Sequence, residues 1–243
     1  MLAQMRPLLL QFLADLPRAL PSSCALCGKE HDAALCDGCH AQFFATEKQR
    51  CTCCGIPVSG PARDTMCGDC LKQPPAFDAT IVATDYAPPV DRLVLGLKFG
   101  SRLETAPLLA QLLHHATKGT RLPHLLTATP LGSRRLVERG FNQALEIAKP
   151  LSRSMRVALD PRLVVRYRET RAQATLHPDE RRDNIRNAFV VPPSSMGRVR
   201  GRHIGVVDDV MTTGETLNEI AATLKRFGAT RVTNIVFART PQQ

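Results

Sequence analysis

Two stretches of this chain carry residue types that could do chemistry. The first is "HIGVVDDVMTTGETL", residues 203–217, where two adjacent aspartates close an apolar run and a Thr/Gly turn follows. A carboxylate pair at a strand tip loses water and gains no apolar packing, so it asks for a ligand. Asp208 and Asp209 could accept hydrogen bonds from a ribose 2′,3′-diol. Thr212, Thr213, Gly214, Glu215 and Thr216 would form the strand-to-helix turn. There Gly214 permits close backbone approach, and threonine hydroxyls and helix N-terminal N–H groups could cradle a phosphate. Two acids for a diol beside a nest for a phosphate describe a ribose 5-phosphate site.

The second stretch holds all nine cysteines, between residues 24 and 70. Eight form CxxC pairs: "CALCG", "CDGC", "CTCCG" and "CGDC". Two thiolates three residues apart on a tight turn can share one tetrahedral metal, and two such turns complete a shell of four. The unit CxxCG, loop, CxxC occurs twice, offset by 27 residues at its start, which is an internal repeat. Grouping in chain order places Cys24, Cys27, Cys36 and Cys39 on one zinc and Cys51, Cys54, Cys67 and Cys70 on a second. The spacing also permits an interleaved grouping, and Cys53 is left over. Gly28 and Gly55, just after the first and third pairs, allow the backbone to turn its N–H groups toward the sulfurs. Full four-thiolate shells leave no open position for chemistry, so two structural Zn²⁺ ions are expected, each filled site carrying a charge of about −2. An odd cysteine count and the lack of an export signal argue against a disulfide framework.

Composition limits what surrounds these residues. With 44% apolar and 22% charged residues the chain belongs with globular proteins. Its formal charge is +10, and residues 134–202 alone carry +9, fifteen of their sixteen basic residues being arginine. Arginine's planar fork grips phosphate oxygens two at a time, so a phosphorylated partner is expected, either a small ester or nucleic acid. Near the start, "MRPLLLQFLADLPRAL" has a leucine run, but Gln11 and Asp15 interrupt it and no cleavage site follows. It falls short of the ~18 apolar residues of a span, so no membrane span is expected. Residues 1–20 are read as an N-terminal amphipathic helix and the location as cytoplasmic.

The elements that must position these groups follow from apolar spacing. "KQPPAFD" (72–78) marks a boundary, separating a cysteine-rich 21–75 from a body over 76–243. In the body, "ATIVATDY", "HLLTATP", "RLVVRY", "RHIGVVDD" and "RVTNIVFAR" suit strands. "PVDRLVLGLKF", "LETAPLLAQLLHHA" and "GETLNEIAATLKRFG" suit helices, and "SRRLVERGFNQALEIAKPLSRSM" reads as one long helix opened by Ser133. Alternating strand and helix predict a parallel sheet in an α/β domain, with ligands beyond the carboxyl ends of its strands.

"VVDDVMTTGETL" resembles the PRPP-binding signature of type I phosphoribosyltransferases. "DYAPPVDRLVLGLKFG", "TPLGSRRLVERGFNQALEIA" and "RYRETRAQATLHPDERRDNIRNAF", with the double cysteine ribbon, resemble the ComF family of ComFC/GntX-like competence proteins over about residues 20 to 240. The resemblance implies a type I phosphoribosyltransferase-like parallel sheet with an N-terminal Cys-rich double zinc ribbon. It implies that Asp208 and Asp209 hold the ribose hydroxyls of PRPP and that residues 212–216 hold its 5-phosphate. Arg134 and Arg135 would approach the pyrophosphate, and Mg²⁺ would bridge pyrophosphate and ribose oxygens. Arg171 and Gln173 would sit on a mobile loop, while Arg139 and Asn142 suit helix capping and ligand contact equally. The resemblance further implies work with single-stranded DNA in natural transformation, DNA uptake and use, beside competence proteins such as a helicase. The other reading is an active phosphoribosyltransferase in nucleotide salvage or amidophosphoribosyl transfer. No base-recognition hood is legible, so nothing names an acceptor.

Overall fold

The computed structural model describes residues 23–45, 48–59, 65–100, 102–167 and 187–241. The expected helix over 1–20, the loop residues Arg171 and Gln173, and most of "RETRAQATLHPDERRDNIRNAF" lie outside the described residues. Contacts divide the chain into two compact units, Met1–Thr46 and Glu47–Gln243.

The first unit is built on its cysteines. A knuckle over residues 24–28 leads to α1 (Asp37–Phe43), a helix whose N-cap is Cys36, the thiol accepting from the Cys39 N–H. Among its described residues Cys24, Leu26, Leu35 and Cys39 are the buried apolar ones.

In the second unit a four-stranded sheet runs in the order β1 (Ala79–Asp85), β6 (Arg231–Arg239), β5 (His203–Met211), β2 (Leu125–Ala128). Every neighbouring pair is parallel. β5 and β6 are buried along almost their whole length. That is the mark of a parallel sheet covered on both faces, and it explains why these strands read as continuous apolar runs rather than alternating ones. β3 (Val165–Arg166) and β4 (Phe189–Val190) form a separate antiparallel pair.

Helices carry the crossovers. α2 (Gly68–Lys72) belongs to the second cysteine repeat; α3 (Asp91–Phe99) and α4 (Ala106–Ala116) follow β1. α4 and α6 (Gln143–Met155) pack on each other and on the sheet, their apolar stripes including Leu109, Leu113, Ile147 and Leu151, all fully buried. α8 (Glu215–Arg226) lies on β6 and β4 through Leu217, Ile220 and Leu224, and its chain turns at Gly228 with φ +92°. Each such side chain contributes about 1.5–3 kcal/mol by leaving water, so this sheet and its helices dominate the unit's stability.

The long helix expected from Ser133 to Met155 is two helices. α5 (Ser133–Arg139) stops at Gly140, which takes φ +76°, and Asn142 then caps α6 by accepting from the N–H groups of Ala144 and Leu145. A left-handed glycine followed by an asparagine N-cap ends one helix and starts another within three residues. The strand expected over "RLVVRY" shrinks to Val165–Arg166, and α7 (Met196–Val199) stands where no element was read. Among the described residues no helix is long and apolar enough to cross a membrane.

Candidate functional site

β5 delivers Asp208 and Asp209 to the carboxyl edge of the sheet, as expected for an acidic strand tip. Both are buried, 8% and 3% exposed, yet they differ in their partners. Asp209 forms an ion pair with Lys98 in the last turn of α3, Nζ to Oδ2 being 2.6 Å. Asp208 accepts from the Asp209 N–H at 2.9 Å. Burial pushes the Asp208 carboxyl well above the usual carboxylate range, and the Asp209 charge adds to the effect. One acid is therefore paired with a lysine, and its neighbour is held toward the protonated form.

The chain then turns through exposed Thr212 and Thr213 into α8. Gly214 is the N-cap, with φ +88°, and a Cβ there would lie 2.5 Å from Cε of Met211. The left-handed conformation favours glycine, and any side chain there would also have to displace the methyl end of Met211. A glycine cap supplies no side-chain acceptor to the first turn of α8, and the positive end of a helix suits an anion.

These residues line one cleft of about 770 Å³. Asp208, Asp209 and Thr212 to Thr216 line it, together with the four cations Lys98, Arg135, Arg139 and Arg166. Arg139 stacks over the Phe99 ring at 5.2 Å and donates to Gln143 Oε1 at 3.0 Å. Arg134 does not line the cleft: its side chain is 81% exposed and pairs with Glu138 at 2.9 Å. Asn142 does cap a helix, and its Nδ2 also donates to the Thr129 carbonyl, holding the loop after β2. Chemically, the cleft holds carboxylates that can accept hydrogen bonds from a diol and cations that can donate them to phosphate oxygens.

Two residues that hold the site together carry no signal in the sequence. Lys98 stands in the last turn of a helix, where a basic residue is ordinary, and only the packing of α3 against the strand tip pairs it with Asp209. Arg239, 3% exposed at the end of β6, donates from Nη1 to the carbonyls of Met211 (3.1 Å), Thr212 and Thr240 (3.0 Å). It fastens the start of the turn from beneath.

The eight paired cysteines form two quartets, Cys24, Cys27, Cys36 and Cys39, and Cys51, Cys54, Cys67 and Cys70. The chain-order grouping holds and the interleaved one does not. No disulfide joins any of the nine. Within each quartet the sulfurs lie within 4.8 Å of one another, with Cys27 to Cys36 at 3.7 Å and Cys54 to Cys67 at 3.6 Å. A tetrahedral zinc with Zn–S bonds of about 2.3 Å would set its sulfurs about 3.8 Å apart, so the donor sets fit. Backbone N–H groups point at sulfur in both: Cys36 to Cys24 and Cys67 to Cys51. Gly28 and Gly55, with φ +74° and +73°, close each knuckle by donating an N–H to the carbonyl of its first cysteine, Cys24 and Cys51. Cys53 is buried beside Cys54 and faces the Phe77 carbonyl, a core residue rather than a ligand.

Comparison with known proteins matches residues 16–71 to the double zinc ribbon domain family and residues 142–243 to the phosphoribosyl transferase domain family. The DNA utilization protein YhgH of Escherichia coli K12 is 39% identical over 204 residues, spanning 82% of this chain and 87% of that protein. Competence protein F of Haemophilus influenzae is 33% identical over the same spans. Among solved structures, the glutamine phosphoribosylpyrophosphate amidotransferase from B. subtilis is 18% identical with a TM-score of 0.36, over 53% of this chain and 25% of that one. Adenine phosphoribosyltransferase from Thermoanaerobacter pseudethanolicus is 15% identical with a TM-score of 0.34, over 60% of this chain and 72% of that one.

Proposed function

The chain belongs to the ComF family, and from that membership and the cleft we propose that it is a PRPP-binding, cytoplasmic protein of DNA utilisation that handles single-stranded DNA. The observation that carries the PRPP reading is the meeting, in one cleft, of a buried acid pair with a glycine-capped helix start and four cations. On this reading Asp208 and Asp209 accept the ribose hydroxyls, residues 212–216 take the 5-phosphate, and Arg135 with Lys98 faces the pyrophosphate. Mg²⁺ would travel with PRPP, neutralising its diphosphate, and hard carboxylate oxygens at the tip suit such a complex.

Calorimetry with PRPP and Mg²⁺ tests this, and the pH response gives it a sign. The native Asp208 carboxyl binds its proton more tightly than the unfolded one, so the native state holds more protons and stability falls as pH rises above 3.8 toward the raised value. Asp208→Asn should therefore melt higher than wild type at neutral pH while binding PRPP at least tenfold more weakly. Wild-type PRPP affinity should rise with pH across the same window. A well-folded wild type that takes up no PRPP with magnesium present removes the reading.

Nucleic-acid handling draws on the +9 segment and on the relatives' names. Affinity for single-stranded DNA should fall with salt at a log–log slope of roughly −0.7 per phosphate neutralised. With only 5% aromatic residues, stacking should add little and sequence preference should be weak. Binding unchanged in an Arg166→Ala, Arg168→Ala, Arg171→Ala variant would take DNA off the partner list. The second reading, transfer of the phosphoribosyl group to an acceptor, is favoured by one feature: Phe99, 70% exposed and backed by Arg139 at the cleft, offers a planar acceptor a surface. Release of pyrophosphate from PRPP in the presence of candidate amines or bases distinguishes it.

A further inference from the structure

Arg239 sits between the two pieces of chemistry in the second unit. Its Nε donates to the carbonyl of Cys54 at 3.1 Å, within the second cysteine knuckle. Its Nη1 donates to the carbonyls of Met211 and Thr212, where the strand tip becomes the ligand turn. Among the described residues no ion pair joins this buried guanidinium to a carboxylate; burial and the nearby Arg50 cation work against its charge, and the sulfurs of Cys54 and Cys67 work for it. A metal-filled shell of four thiolates carries about −2 and would balance the buried cation.

The knuckle is fixed to the sheet on the same edge. Arg50 pairs with Asp85 at the tip of β1 (2.8 Å) and donates to the Gly55 carbonyl (3.1 Å), while the Thr80 N–H donates to the Thr52 carbonyl. Asp85 stands opposite Arg239 in the sheet register. Carbonyls of two successive knuckle residues, Cys54 and Gly55, are thus each held by an arginine, and one of those arginines also holds the ligand turn.

We propose that Arg239 is a positioning residue through which the second cysteine centre sets the geometry of the 212–216 turn, so that phosphate binding there depends on the metal at Cys51, Cys54, Cys67 and Cys70. A zinc knuckle without its metal loses its fold. The Cys54 carbonyl then leaves its place, the fork of Arg239 is no longer oriented, and the carbonyls of Met211 and Thr212 lose the donor that fixes the turn. This rests on the reading of the turn as a phosphate site.

The test uses the full chain in four forms: wild type, Arg239→Lys, Cys67→Ser and Cys27→Ser. Two readouts are taken, PRPP affinity by calorimetry and amide hydrogen exchange over residues 211–217 without ligand. Arg239→Lys keeps the charge and loses the fork, so it should retain its zinc, weaken PRPP at least tenfold and speed exchange at 211–217 well beyond that of β6. Cys67→Ser should speed exchange at the same amides, and Cys27→Ser should leave both readouts at wild-type values. Exchange at 211–217 that is unchanged in Arg239→Lys, or that rises only in step with the whole sheet, overturns the proposal even if Cys67→Ser fails to fold. Localised exchange changes with no PRPP binding in the wild type would keep the strut and discard the PRPP reading.

Discussion

The two cysteine centres share one local grammar and differ in what surrounds it. Each has a CxxCG knuckle with glycine in the left-handed region, a backbone N–H on its first sulfur, and a short helix starting at its third cysteine. Around Gly28 a Cβ would meet nothing within 4 Å, and Cys27 is exposed. Around Gly55 a Cβ would lie 2.5 Å from Cγ2 of Val82 in β1, and Cys51, Cys54 and Cys70 join Val206, Val236 and Leu217 in one buried cluster. The same sixteen-to-twenty-residue device is in one case the core of its own small unit and in the other a part of the sheet's core. Local sequence dictates the knuckle; tertiary contact dictates what its loss would cost.

Metal loss should expose that difference most strongly. Zinc binding in such modules contributes folding free energy on the order of 10 kcal/mol, comparable with the whole stability of a domain at about 5–15 kcal/mol. Cys54→Ser should release one zinc and lower or abolish the cooperative melting of residues 47–243. Cys27→Ser should release one zinc and leave that transition in place. Elemental analysis with scanning calorimetry checks both, and equal effects on the main transition would erase the distinction between the centres.

The glycines give a smaller and cleaner contrast. Alanine in the left-handed region costs about 1–2 kcal/mol wherever it stands. At Gly55 the methyl also meets β1, and overpacking adds about 1–3 kcal/mol. Gly55→Ala should therefore destabilise the second unit by about 2–5 kcal/mol in denaturant melts, and Gly28→Ala should cost only the backbone share. A Gly55→Ala variant no worse than Gly28→Ala would mean that Val82 yields freely and the knuckle is only loosely seated.

How much of this was legible in the sequence follows the same division. Apolar runs located β5 and β6, and the charge pair at the end of β5 located the site. Repeat spacing located the metal ligands, although only their approach in space chose between the two groupings. What periodicity could not supply were the long-range partners. Lys98 and Arg239 each end an element as basic residues commonly do, and their roles arise from α3 and β6 meeting the tip of β5. The break at Gly140 was readable, since "RGFNQ" holds both a helix-ending glycine and an N-capping asparagine, but the apolar stripe running through it suggested continuity. Arg134 was readable too: Glu138 stands four residues on, at helix-pair spacing.

The smallest expected effect concerns the polar seam beneath the second knuckle. Asp85 receives Arg50 at 2.8 Å and Lys48 at 2.6 Å; burial alone would raise its carboxyl, but the two cations outweigh it and hold it below its ordinary value. The side chains of Arg50 and Asp85 are 16% and 14% exposed, whereas Lys48 is 52% exposed. Solvent screens the lysine, so its pair should contribute little. The arginine pair is better sheltered, and Arg50 also holds the Gly55 carbonyl. A double-mutant cycle of Arg50→Met and Asp85→Asn, read at neutral pH, should give a coupling of about 1 kcal/mol. The matching cycle with Lys48→Met should give a few tenths of that. Because Arg50 spans the knuckle and β1, its coupling measures how firmly the second centre is seated on the sheet apart from its metal. A value near zero, with Gly55→Ala still costly, would place the whole of that seating in apolar contact and leave Arg239 as the main polar tie between the cysteine centre and the ligand turn.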